Sequence, residues 1–213
     1  MKTRYGFASL LVTTLLALGV TAAAQDANIT QPIADLERLL AAEPLVITQA
    51  EISRPKAKGD ITLKADVSFG GAPPLRVKLR KAEPGAEAFN NVPRYDLAAY
   101  ELQKLFIDPA EYVVPPTVLR FVPRADFAKY QPDVARTFSS ADQVLAALQY
   151  WLSDITVIAD VYNPTRFGAD PLYARHIGQL NVLTYLIAHR DSNVGNFLIG
   201  KAPTGARVFS IDH

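Results

Sequence analysis

The stretch His189-Arg190-Asp191-Ser192-Asn193-Val194-Gly195-Asn196-Phe197-Leu198-Ile199, taken with Phe209-Ser210-Ile211-Asp212-His213, decides how this chain reads. The run before it, Leu172 to Ala188, sets Ile177, Leu180, Leu183 and Ile187 in helical register, which predicts a long buried helix. That helix ends in a polar loop carrying Asp191 and Asn196. Asn196 to Gly200 and Val208 to Ile211 read as two short strands about a turn, and the second delivers Asp212 at its end. Three oxygen-bearing side chains are thereby expected to converge from one loop and one strand end.

Phosphoryl transfer asks for such a set. One carboxylate orients the acceptor hydroxyl and can take its proton, while a neutral amide oxygen and a second carboxylate hold magnesium ions on the phosphates. Asp191 suits the first role, and Asn196 with Asp212 the second. The His-Arg-Asp-x4-Asn spacing matches a kinase catalytic loop, and Asp212 stands where the metal-binding Asp of Asp-Phe-Gly stands, with His213 replacing the Phe.

Upstream, Ile61 to Phe69 alternates apolar and polar residues, and Leu75 to Leu79 alternates again after Gly70-Gly71-Ala72-Pro73-Pro74. The pair predicts a hairpin with a glycine turn, Leu75, Val77 and Leu79 on one face and Arg76, Lys78 and Arg80 on the other. Tyr95 to Phe106 reads as a helix with Ala98, Leu102, Leu105 and Phe106 on its apolar stripe and Glu101 at the edge. Tyr112 to Val118, rich in proline and β-branched residues, predicts an extended edge segment. Arg120 to Ser140 is expected to loop out, and Asn163 to Asp170 to be a turn-rich linker. Gln143 to Leu152 fits a buried strand or a helix, and periodicity leaves both open. Ile33 to Ala42 has helical spacing and is expected to pack on the first part of the fold.

Asp191 to Leu198 with Ser210-Ile211-Asp212-His213 resembles the atypical protein and lipid kinases: type II phosphatidylinositol 4-kinases, secretory-pathway kinases and related bacterial proteins. Ala98-Ala99-Tyr100-Glu101-Leu102 and Val114-Pro115-Pro116-Thr117 resemble the first lobe of bacterial members. The resemblance covers roughly residues 60 to 213. It implies an α+β, kinase-like bilobal fold: a small antiparallel sheet plus helix in the N-lobe, and a mainly helical, incomplete C-lobe. It also implies a lysine–glutamate pair gripping the nucleotide phosphates. Leu75-Arg76-Val77-Lys78 overlays the V-A-I-K pattern, so Lys78 is preferred to Lys81, with Glu101 as its partner. ATP is then the expected cofactor, with magnesium and with manganese as the alternative ion, and Asp191 is the expected catalytic residue.

Composition narrows the classes. The chain has 213 residues, of which 49% are apolar and 20% charged, values of a globular protein. Its net charge of +1, without a long basic run, removes the expectation of a nucleic-acid partner. Lys2 and Arg4, the apolar run Phe7 to Val20 and the small residues Thr21 to Ala24 predict an export signal cut after Ala24. The mature chain is then periplasmic or secreted, with no stable membrane anchor. The absence of cysteine excludes disulfides and thiolate zinc sites.

The expected organisation is signal 1–24, leader with helix 25–60, N-lobe 61–152 and partial C-lobe 153–213. The chain ends at His213, one residue past the presumed metal-binding Asp, which predicts either a fragment or a minimal, degenerate relative. Two alternatives stand beside the kinase reading. One is a non-catalytic periplasmic nucleotide- or ligand-binding module on the same scaffold. The other is a metal-dependent hydrolase built on His189, Asp191, Asp212 and His213. The acceptor substrate is not legible.

Overall fold

The alternation between Thr62 and Lys81 becomes the hairpin it predicts. Strands β1 (Val46–Ile52), β2 (Thr62–Phe69) and β3 (Ala72–Lys81) follow one another in the chain. Antiparallel pairing of β2 with β3 sets Leu63 opposite Leu79, Ala65 opposite Val77 and Val67 opposite Leu75, all buried. Gly70 and Gly71 form the turn at φ 32° and 127°, a region glycine enters without a Cβ penalty. A computed structural model of the chain describes residues 27–53, 62–82, 93–156, 161–190, 193–200 and 206–213. The expected export signal lies outside the described residues.

The fold is mixed α+β. A five-stranded antiparallel sheet has the order β1-β2-β3-β5-β4, and a three-stranded one the order β6-β7-β8. Strand β1 falls within the stretch read as a leader, so the sheet begins earlier in the chain than its alternating hairpin suggests. Strands β4 (Thr117–Pro123) and β5 (Gln143–Tyr150) complete the larger sheet. Strand β5 settles the strand-or-helix alternative. It is paired on both sides, and its last five residues are all buried, which is why its apolar run is continuous. Strand β4 is an edge, as expected of a proline-containing segment, but it extends to Pro123 where a loop was expected. Pro123 sits at the strand's end, where the missing N–H costs no ladder bond, and α3 (Arg124–Ala128) follows directly.

Helix α1 (Ile33–Ala42) lays Leu36, Leu39 and Leu40 on the core that includes Val122 and Phe127. Helix α2 (Pro93–Gln103) differs from its expected face. Asp96, Ala99, Tyr100 and Gln103 are buried at i, i+3, i+4 and i+7, while Leu105 and Phe106 are exposed beyond its end. The face turns because the two polar residues have buried partners, which hydropathy alone does not register.

In the second half, α4 (Pro164–Ala169) replaces the expected linker, and α5 (Pro171–Leu186) is the long helix. Both start on a carbonyl-bearing cap followed by proline: the Asn163 side chain accepts from Arg166 N, and the Asp170 side chain from Tyr173 N. Tyr173, Ile177, Leu180 and Leu183 pack with Val208 and Ile199. Strands β6 (Ile155–Thr156), β7 (Phe197–Gly200) and β8 (Val208–Ser210) form the small sheet. Asn28 donates to the carbonyls of Ser153 and Asp154, each at 3.0 Å. Gly200 lies so close that a Cβ there would meet Asn28 Oδ1 at 2.3 Å. No helix of the described residues is long and apolar enough to cross a membrane.

Gln103 ties α2 to the segment that leads into β4. Its Nε2 donates to Val114 O at 2.8 Å, and its Oε1 accepts from Val113 N and Val114 N at 2.9 Å. Val113 O in turn accepts from Ser210 N at 2.7 Å, so this one amide links helix, strand approach and small sheet. Gln103→Met keeps the volume and strands these buried backbone groups; a loss of about 3 kcal/mol in urea-unfolding free energy is expected. A loss below about 1 kcal/mol contradicts that role.

Candidate functional site

Alternation along β3 carries Lys78 and Arg80 to one strand face, and both are buried, at 8% and 2% exposure. A buried cation needs an acid within reach. Helix α2 supplies Asp96: its Oδ2 lies 2.7 Å from Arg80 Nη1 and 3.4 Å from Lys78 Nζ. The segment after β8 supplies Asp212, whose Oδ1 is 2.5 Å from Lys78 Nζ and 3.9 Å from Arg80 Nη1. Four charges from three places in the sequence therefore balance in one cluster.

The segment Ile211–His213 is held in place from several sides. Ile211 N donates to Asn196 O at 2.8 Å. Asp212 O receives Asn196 Nδ2 at 3.4 Å and contacts His189 Nε2 at 3.2 Å. His213 N donates to Asp96 Oδ1 at 3.1 Å, and its Nε2 shares a proton with Ser210 Oγ at 2.9 Å. These contacts hold Asp212 at φ 58°, a left-handed conformation that aspartate tolerates better than most residues but that still costs free energy.

Burial on its own pushes the Asp96 carboxyl upward. The Lys78 charge, the His213 hydrogen bond and the Arg80 charge outweigh it and hold Asp96 far below the usual carboxylate range. Asp212 follows the same pattern. Burial raises it, Lys78 lowers it by charge and hydrogen bond, and the net shift is downward. Both carboxylates are thus ionised at neutral pH.

Of the residues expected at the site, Lys78, Asn196 and Asp212 come together. Glu101 does not: it is exposed and accepts from Lys104 Nζ at 2.8 Å. The pairing expected between Lys78 and Glu101 is made with Asp96 instead, because five residues of helix rotate the side chain by about 140°. Lys81 takes the strand face opposite Lys78, as alternation requires. Asp191 lies outside the described residues. Sequence reading missed Arg80 and Asp96. A usable signal existed, since Asp96 shares the i, i+3, i+4, i+7 face with Ala99, Tyr100 and Gln103.

Among the described residues, no group of three or more His, Asp or Glu side chains is arranged to hold a metal ion. A magnesium ion carried on phosphates needs no such cage, since it keeps several waters and takes one or two protein oxygens. Asn196 and Asp212 carry oxygens of that type; the contact between them runs from Asn196 Nδ2 to the backbone carbonyl of Asp212, whose carboxylate faces Lys78. The imidazoles are engaged elsewhere, His189 with Asp212 O and His213 with Ser210, their rings 5.1 Å apart.

A carboxylate whose folded pKa is depressed contributes stability that is fully present above its unfolded value, about 3.9 for Asp, and is lost as pH falls below it. Unfolding free energy is therefore expected to fall from about pH 5 downward, steepened by Asp96 and Asp212. Asp96→Asn leaves Lys78 and Arg80 undercompensated; it is expected to cost about 3–5 kcal/mol at pH 7 and to flatten the acid limb. Urea melts from pH 7 to 2 measure both quantities, and an acid limb unchanged by the substitution speaks against the cluster.

No protein-family model matches the chain, and no curated protein matches it closely enough to indicate kinship.

Proposed function

We propose that this chain is an exported phosphotransferase of the atypical-kinase type, bilobal in build. In this reading ATP and magnesium, or manganese in its place, bind between the sheet β1–β5 and the segment running from α5 to β8. The observation that carries the reading is the convergence of buried Lys78 with an acid from the next helix, Asp96, and an acid at a strand end, Asp212. Phosphoryl transfer uses that combination: a strand lysine on the phosphates, a helix acid that orients it, and a strand-end aspartate for the cation. The sequence order β3, helix, β4, β5 and the neighbouring Asn196 are consistent with it.

Each residue has a separable task. Lys78 holds phosphate oxygens. Asp96, replacing the expected Glu101, fixes the lysine's direction and does not touch substrate. Asn196 and Asp212 hold the cation, which neutralises charge on the phosphates. Asp191, assigned from the loop spacing alone, orients the acceptor hydroxyl. In the transfer, the acceptor oxygen bonds to the γ-phosphorus, the β–γ bridging P–O bond breaks, ADP leaves and the hydroxyl proton passes to the Asp191 carboxylate. The Lys2, Arg4 and Phe7-to-Val20 pattern supports export.

A second reading, a nucleotide-binding module without transfer, is favoured by one fact: Lys78 and Asp212 satisfy each other at 2.5 Å. Binding and turnover separate the two. Calorimetric titration of the whole chain with ATP is expected to show magnesium-dependent binding. Asp212→Ala and Lys78→Ala should each weaken it by at least about tenfold, and Glu101→Ala should leave it unchanged. Absence of ATP binding with either magnesium or manganese ends both readings; tight binding without ADP formation selects the second.

A further inference from the structure

Arginine binds planar and tetrahedral oxyanions best through the fork formed by Nε and one terminal nitrogen. Two surface arginines of this chain use that fork. Arg76 gives Nε to Asp66 Oδ1 at 2.8 Å and Nη2 to Asp66 Oδ2 at 3.1 Å. Arg124 gives Nε and Nη2 to the two oxygens of Asp142 at 2.5 and 3.5 Å. Arg80 differs. Its Nη1 is spent on Asp96, while Nε and Nη2 are shielded from solvent and have no hydrogen-bond partner among the described residues.

Buried donors are rarely left unmatched, and two adjacent ones on a guanidinium 2% exposed call for a ligand with two oxygens side by side. No acid of the cluster can serve. Asp96 already accepts from Arg80, Lys78 and His213, and Asp212 Oδ1 is turned to Lys78. Lys78 stands two residues along the same strand face, and its Nζ shares Asp96 Oδ2 with Arg80 Nη1, at 3.4 and 2.7 Å. Lysine and arginine so placed span more than one phosphate group.

We propose that the Nε/Nη2 fork of Arg80 is a phosphate-binding element that, together with Lys78, selects an oligophosphate over a single phosphate. The identity of the ligand rests on the nucleotide reading above; the fork itself does not. Because the fork is shielded, occupancy requires neighbouring side chains to part, so binding is accompanied by a local rearrangement. Arginine suits this position and lysine does not, since an ammonium supplies a point charge without the fork.

The test uses the whole chain with tripolyphosphate, inorganic phosphate and magnesium-ATP as probes. In the ¹⁵N-resolved NMR spectrum, the Arg80 Nε–H resonance is expected to move with tripolyphosphate and much less with phosphate at equal concentration. Arg80→Lys is expected to weaken tripolyphosphate and ATP at least about tenfold, with Arg76→Lys as the unaffected control. Should Arg80→Lys fail to fold, the unmutated protein's resonance decides. An unmoved Arg80 resonance under saturating magnesium-ATP overturns the fork and leaves the nucleotide reading intact. A moved resonance with tripolyphosphate, but no ATP binding, supports the fork and removes the nucleotide.

Discussion

Two cations are buried side by side on one face of β3, and much of the structure answers to them. An uncompensated buried charge costs several kcal/mol even after the protein relaxes around it. Lys78 and Arg80 therefore dictate where acids must go. Helix α2 is rotated so that Asp96, not its more hydrophobic neighbours, faces the strand. The chain after β8 is bent through a left-handed residue so that Asp212 meets Lys78 and the amide of His213 meets Asp96. Elements far apart in sequence are fixed relative to each other by charge and also by the two apolar clusters, each of which joins residues of the first part of the chain to residues of the last.

What the sequence disclosed depended on whether burial was governed by hydropathy. The β2–β3 hairpin, α1, α5 and the strands flanking the last turn were legible because apolar residues recur there at period two or near 3.6. Strand β5 was ambiguous because burial on both faces erases the alternation. Helix α4 was hidden in residues that favour turns, yet the same Asn163 and Pro164 start a helix when a cap is satisfied. Of the residues singled out in the sequence, Asn196 and Asp212 by spacing and Lys78 by its likeness to the V-A-I-K pattern, Lys78 meets the Asp212 carboxylate and Asn196 bonds the Asp212 backbone. Asp96 was not singled out, because a charged residue on a helix is read as a surface residue unless its partner is known. Arg80 was placed on the right face but went unremarked, since nothing in a sequence says which cation of a strand will be sealed from water.

On the proposed reading, the groups that stabilise the fold are also the groups that handle the ligand. Lys78 and Asp212 neutralise each other across 2.5 Å. A polyphosphate with its cation offers each an equivalent partner, anion for the lysine and cation for the carboxylate, so the cluster exchanges counter-charges without gaining net charge. Asp96 is different in kind. It is wholly buried, accepts from both cations and from a backbone amide, and so acts as the fixed anchor about which that exchange can take place.

The bond between His213 N and Asp96 spans 117 residues of chain. During synthesis the apolar side of the larger sheet can condense as soon as β5 has emerged, but its cationic side has no full set of counter-ions until Asp212 is made. Nascent chains thus carry a half-neutralised strand from the making of β3 until Asp212 has been added. Closing so long a loop is also slow, because its entropy is lost before the contact forms. Final consolidation of the larger sheet is thereby tied to arrival of the segment that carries Asp212.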